Sequence, residues 1–202
     1  MPEDSLAIVV EVDAPIAIVR FTNPQQRNPL SLATLKQLQI ILNETTQRSD
    51  IECIIFTGSD EAFASGADIR ELTKLNARSA EQFSRFGQQL FQTIADAAQL
   101  TIAAINGYCT GGAMDLAMAC DIRIASPRAA FAHPGARLGI ITGWGGTQRL
   151  SRVIGLGAAL DLLLTARRIN ADDALRLGLV TRLAGDPVNA ALSVFQQTRN
   201  ST

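Results

Sequence analysis

The chain is poor in the residues that most often mark a metal or redox centre. It holds one histidine, His133, and three cysteines, Cys53, Cys109 and Cys120, in 202 residues. No C-x-x-C pair and no histidine cluster occurs, so no metal is expected. An odd, dispersed set of cysteines with apolar neighbours fits a disulfide framework or a zinc site less well than free thiols. It predicts buried free thiols in a reducing cytoplasm. An excess of either charge is also missing, the net charge being −1. Nothing therefore marks a nucleic-acid or membrane-surface partner. No apolar run approaches membrane-spanning length. Met1–Ser5 lacks the basic and apolar regions of a signal peptide, so a cytoplasmic location is expected. Fixed-period repeats and low-complexity linkers are absent. What is plentiful is apolar side chain, 47% of the chain against 18% charged. That composition and length suit one substantial domain with a real core, and a small appendage.

Periodicity gives alternating strands and helices. Leu6–Val12 and Ile16–Thr22 read as β-rich runs joined by Asp13-Ala14-Pro15, a hairpin signal. Leu35, Leu38 and Leu42 recur at helical spacing, which predicts a helix over Leu32–Thr46 with Ser31 as N-cap. Ile51–Thr57, closed by Gly58, reads as a buried strand. Phe83, Phe86, Leu90, Phe91 and Ile94 predict a helix over Ala80–Ala97. Ile102–Ile105, Ile122–Ala125 and Val180–Leu183 read as strands. Thr147–Ile154, Ala158–Thr165, Asn170–Arg176 and Val188–Gln197 read as helices, with Asn170 an N-cap. This alternation argues for an α/β layered fold. A core domain over 1–185 and a short C-terminal helix and tail over 186–202 are expected.

The segment richest in chemistry runs from Ala103 to Asp121. An apolar run ends in the turn Gly111-Gly112, and a helix of small residues follows with Asp115 in its first turn. Glycines there let a substrate approach backbone N–H groups that have no partner inside the helix. Such a place can hold a developing negative charge, and an acid one turn away can move a proton. Asp115 has a second reading, as an acid favoured by the helix dipole. Its neighbours Ala113, Met114, Leu116, Ala117 and Met118 are apolar, and a carboxylate among them is costly without a role.

Five segments in order resemble the crotonase superfamily, the enoyl-CoA hydratase/isomerase family. They are Phe63–Ile69, Ile102–Gly107, Gly111–Asp121, Gly143–Leu150 and Ala166–Val180. The likeness spans roughly residues 7–183. It implies an α/β spiral of ββα units with a shortened C-terminal helical part, assembled as a homo-oligomer, trimer or hexamer. It implies an acyl-CoA thioester substrate, with coenzyme A carried as part of that substrate and no separate cofactor. The resemblance places the two backbone N–H groups of a thioester oxyanion hole on Ala67 and Gly112. It places an adenine-ribose loop on Ala64, Ser65, Gly66, Ala67 and Asp68, with Ile69 beside them, and puts Arg27 near the CoA phosphates or pantetheine. Arg27 also reads as a solvated loop charge, and Asp68 as an N-cap for the segment beginning at Ile69.

Hydratases of this family carry two glutamates. Their positions fall on Asp115, one methylene shorter, and on Gly135, which has no side chain. His133, two residues before Gly135, reads either as a titrating group or as a residue packed beside the Pro134 turn. Arg137 reads as a salt-bridged loop residue, Trp144 as a pocket wall, and Gln148 and Arg149 as structural. Family members continue into further C-terminal helices, whereas Val188–Gln197 supplies one. Two functional readings follow: an acyl-CoA-processing hydratase/isomerase-type enzyme with Asp115 as acid/base, or a catalytically impaired acyl-CoA-binding or scaffold protein. A phosphate-loop reading of the glycines from Gly139 to Gly146 fails, because no Gly-Lys-Ser/Thr follows.

Overall fold

The computed structural model describes residues 7–200. Leu6, the Met1–Ser5 segment and the last two residues lie outside them. Strands β1 (Ile8–Asp13) and β2 (Ile16–Phe21) form the expected antiparallel hairpin, with Asp13 opposite Ile16. Helix α1 (Leu32–Thr46) begins at Ser31, whose Oγ accepts from Thr34 N at 3.1 Å. Then follow β3 (Cys53–Thr57), β4 (Ala62–Ala64), α2 (Ile69–Leu72) and α3 (Ala77–Ala95). Next come β5 (Leu100–Ile105), β6 (Tyr108–Thr110) and α4 (Gly112–Ala117). A third round has β7 (Ile122–Ala125), β8 (Ala130–Ala132), a 3-10 turn at Pro134–Leu138, and α5 (Gly146–Ile154). The chain closes with α6 (Leu156–Thr165), β9 (Ile169–Asn170), α7 (Ala171–Arg176), β10 (Arg182–Leu183) and α8 (Pro187–Asn200).

Each round lays one strand in each of two sheets before a helix, which is the expected ββα spiral. The larger sheet has the order β1-β2-β3-β5-β7-β10, and the smaller β4-β6-β8-β9. Within the larger sheet every pairing after β1/β2 is parallel. Its central strands are buried on both faces, so period-2 alternation sends side chains into two separate cores. Ile54, Phe56, Ala103 and Ile105 join the main core. Cys53, Ile55, Ile102 and Ala104 join Ala191 and Phe195 of α8 on the opposite face. None of the residues named on that face lines the cleft described below.

Two departures from the sequence expectation have local causes. Helix α3 starts three residues before the expected Ala80, because Asn76 and Ser79 form a reciprocal capping box, each side chain accepting from the other's N–H at 2.9 Å. The strands of the smaller sheet were not located from periodicity, although the resemblance implies a second strand in each ββα unit. Strands β4, β6 and β8 are three residues each, too short to show a period. The three thiols are buried and free, as expected. Burial pushes Cys53 up to about 12 and raises Cys120, and burial with the nearby Asp115 charge raises Cys109 further. Among the described residues no helix is long and apolar enough to cross a membrane.

Candidate active site

Strands β4 and β6 run parallel in the smaller sheet, and their ends deliver two adjacent turns, Ser65-Gly66-Ala67 and Gly111-Gly112. Thr110 Oγ1 donates to Ser65 O at 3.2 Å and ties the turns together. Gly66 sits at φ +79°, and a Cβ there would lie 2.7 Å from both Gly112 N and Thr110 O. Only glycine permits this contact. Ala67 and Gly112 thereby share one wall of a cleft of roughly 820 Å³. Gly112 opens α4, so its N–H has no partner inside that helix. Ala67 N donates to no backbone carbonyl among the described residues.

Trp144 braces this wall. It is 4% exposed, packs its ring 5.2 Å from Phe83 and 5.5 Å from Phe91, and donates from Nε1 to Phe83 O at 3.3 Å. A methyl group on Gly112 or Gly87 would overlap the indole. The expected pocket wall is therefore also a wedge between α3 and α4.

Asp115 lines the same cleft but is 1% exposed. Its Oδ2 accepts from Thr142 Oγ1, and its Oδ1 lies 3.2 Å from His133 Nε2. The backbone of α5 closes over Oδ1 as well, since a Cβ on Gly146 would overlap that oxygen. His133 is buried at 5% and lines the cleft. Packing beside Pro134 is thus only part of its role, because its ring is fixed on the carboxylate. In a neutral imidazole one nitrogen donates and the other accepts. Pairing through Nε2–H leaves Nδ1 as the basic atom. Arg149 is structural, as expected: it donates to Trp144 O at 3.2 Å and Gln92 Oε1 at 3.1 Å. Burial lowers its guanidinium pKa, and the Asp115 charge opposes that shift.

Gly135 also lines the cleft. A Cβ there would stand 2.7 Å from Ile140 O, and Ile140 N donates to Gly135 O at 3.0 Å. The Ile140 backbone stands where a side chain at this position would need room.

Of the expected CoA-loop residues, Ser65, Ala67, Asp68 and Ile69 line the cleft. Ala64 is fully buried in β4 and faces the core, and Gly66 serves the contact between turns. Asp68 caps α2, accepting from Arg70 N at 2.9 Å. The Arg70 side chain, bonded to the same carboxylate, holds it below its ordinary pKa. Arg27 stands outside the cleft lining, at φ +60°, with its guanidinium 5.0 Å from the Tyr108 ring centre. Arg168 approaches the same ring at 4.6 Å. Arg137 is exposed and makes no ion pair among the described residues, which corrects the salt-bridged reading. Thr142 had no sequence signal, since it meets Asp115 only through the fold.

The model of the family "Enoyl-CoA hydratase/isomerase" matches residues 11–199. The chain is 40% identical over 177 residues to the short-chain-enoyl-CoA hydratase of Clostridium acetobutylicum, covering 87% of this chain and 68% of that protein. It is 41% identical over 177 residues to the crotonyl-CoA hydratase of Syntrophomonas wolfei, with the same coverage. Among solved structures, the enoyl-CoA hydratase of Bacillus anthracis superposes with TM-score 0.90 at 34% identity, over 95% of this chain and 76% of that one. Pseudomonas aeruginosa DspI superposes with TM-score 0.91 at 30% identity, over 100% of this chain and 84% of that one. On fold and sequence together, the chain belongs to the enoyl-CoA hydratase/isomerase family, the crotonase superfamily, and is an enzyme of the hydratase/isomerase type.

Proposed function

We propose that the cleft binds an acyl-CoA thioester and moves a proton at the carbon next to its carbonyl. The observation that carries this reading is the convergence of Ala67, Gly112 and Asp115 on one cleft. The thioester oxygen sits between the N–H groups of Ala67 and Gly112. Proton removal at Cα sends the C–H electron pair toward that oxygen, and the two donors stabilise the resulting enolate. One such donor is typically worth about 10²–10³ in rate. The proton is handled from the Asp115 side. Ser65, Asp68 and Ile69 line the mouth where the nucleotide end of CoA lies, and Arg27 is held at Tyr108 to meet its phosphates from outside.

Double-bond migration needs one group that lifts a proton from one carbon and returns it to another. Water addition needs a second group to activate water. Gly135 cannot be that group, so the site favours migration and Cα exchange over hydration. The impaired acyl-CoA-binding reading rests on the same glycine. A panel of acyl-CoA esters incubated in D₂O and followed by mass spectrometry separates these outcomes. Deuterium uptake with double-bond migration supports the proposal, bound but unchanged ester supports the binding protein, and an absence of binding removes both.

The reading includes a cytoplasmic homo-oligomer, trimer or hexamer. Apolar Ile141, Leu156 and Leu164 are 74%, 65% and 72% exposed, which suits burial between subunits. Sedimentation velocity tests this: a monomer at micromolar concentration would contradict it.

A further inference from the structure

We infer that His133 is the side chain that carries the proton, and that Asp115 and Thr142 are its positioning residues. This rests on the acyl-CoA reading of the cleft.

The argument starts from what surrounds the Asp115 carboxylate. Both oxygens are engaged, Oδ2 by the Thr142 hydroxyl and Oδ1 by His133 Nε2 at 3.2 Å. The backbone of α5 at Gly146 closes over Oδ1. The Asp115 side chain is 1% exposed against 6% for that of His133. Both groups border the cleft, but both carboxylate oxygens are taken, while the imidazole makes no second hydrogen bond among the described residues. With Nε2–H given to Asp115, Nδ1 is the remaining base. The carboxylate then does what a buried anion does for an imidazole: it selects the tautomer, fixes the ring and stabilises the imidazolium. Thr142 holds the carboxylate's other oxygen, so the plane of the pair is set from both ends. Other charged or titratable groups near the pair are Arg149 on α5 and Cys109 on β6, both within reach of the Asp115 charge. Burial raises Cys109 well above its ordinary pKa, which leaves it neutral.

The step balances without a co-reactant. Nδ1 takes the proton from Cα, and the C–H pair forms the Cα–C double bond of the enolate. The imidazolium returns this proton to Cγ for migration, or trades it with solvent water and delivers a solvent-derived proton to Cα for exchange. Nothing is oxidised or reduced. The single histidine thus supplies on the Asp115 side the proton handling that Gly135 cannot supply on the other.

The test uses the full chain with but-3-enoyl-CoA as substrate and butyryl-CoA as binding and exchange probe. His133→Gln keeps a side-chain N–H for Asp115 but has no base. The expected result is a fall in kcat of about 10²–10⁴-fold with KM and butyryl-CoA affinity changed less than about threefold. His133→Ala should fall equally and recover at least about tenfold with millimolar imidazole, a response that a merely structural role would not give. Asp115→Asn should lose kcat without recovering in imidazole, because the positioning partner is gone. If His133→Gln binds butyryl-CoA and turns over within about threefold of the unaltered protein, the carboxylate itself carries the proton and the inference is overturned. Should His133→Gln lose binding or fold, His133→Ala decides alone: recovery in imidazole supports the inference, and no recovery overturns it. If the unaltered protein binds no butyryl-CoA, the acyl-CoA reading fails instead, and the two failures are distinguished.

Discussion

The two sides of the cleft each follow a short strand of the smaller sheet, β6 leading into α4 and β8 into a 3-10 turn, and carry opposite chemistry. On one side Asp115 is enclosed by His133, Thr142 and the α5 backbone, with every polar atom engaged. On the other, Gly135 brings only backbone, and the Ile140 carbonyl occupies the space a side chain would need. Losing an acid from an otherwise unchanged pocket would leave a hole. Here the loop is packed shut around the glycine, so the one-sidedness belongs to the fold of this loop and not to one missing side chain. Proton handling is concentrated where the buried polar network is complete, which is also where its geometry is most tightly held.

The comparison breaks most visibly at Asp115. Asp115→Ala removes the anchor of both His133 and Thr142, and turnover of the reactive acyl-CoA ester should fall by about 10²–10⁴-fold. Butyryl-CoA binding, followed calorimetrically, should persist. Unchanged turnover would take Asp115 out of the site. Next in size is Gly112→Ala. Its methyl group must displace the Trp144 ring, an overpacking that costs about 1–3 kcal/mol. A chain of this length loses about 2–4 °C of melting temperature per kcal/mol, and calorimetry reads it directly. The same wall holds the thioester oxygen, so activity should fall further than stability alone explains.

Gly135→Glu sharpens the contrast from the other side. If one missing carboxyl group were the whole difference, this substitution would create fast water addition to crotonyl-CoA. The 2.7 Å approach of Ile140 O predicts otherwise: destabilisation of about 1–3 kcal/mol and no rapid hydration. A stable, fast-hydrating Gly135→Glu protein would show that the loop is not closed. The smallest effect belongs to Arg137→Ala, three residues beyond Pro134 and exposed to solvent. Its stability and turnover should stay within about 0.5 kcal/mol of the unaltered protein. A larger loss would mean that the guanidinium meets the bound substrate.

Much of this was legible in the sequence, for a physical reason. The hairpin, α1 and the buried strands carry apolar side chains at periods of 3.6 or 2, which a single sequence displays. The caps at Ser31, Asp68 and Asn170 are local interactions, and each accepts from the N–H that its position predicts. The close approach of Gly66 to Gly112 had no signal in the paired glycines, which read only as a place where a substrate meets backbone N–H groups. What stayed hidden lies far apart along the chain. His133 is 18 residues from Asp115 and Thr142 is 27, so no local pattern joins them. Trp144 was readable as a wall, but its wedge against Gly87 and Gly112 was not. The side-chain direction within the loop was also not legible, since the strand turns Ala64 into the core while its neighbour Ser65 faces the cleft.

The most direct test of one-sided proton transfer is deuterium exchange at Cα of butyryl-CoA, an ester that can neither add water nor migrate. Mass spectrometry after incubation in D₂O should show protein-dependent deuterium uptake that disappears in Asp115→Asn while the ester still binds. Binding without any uptake by the unaltered protein would contradict the account.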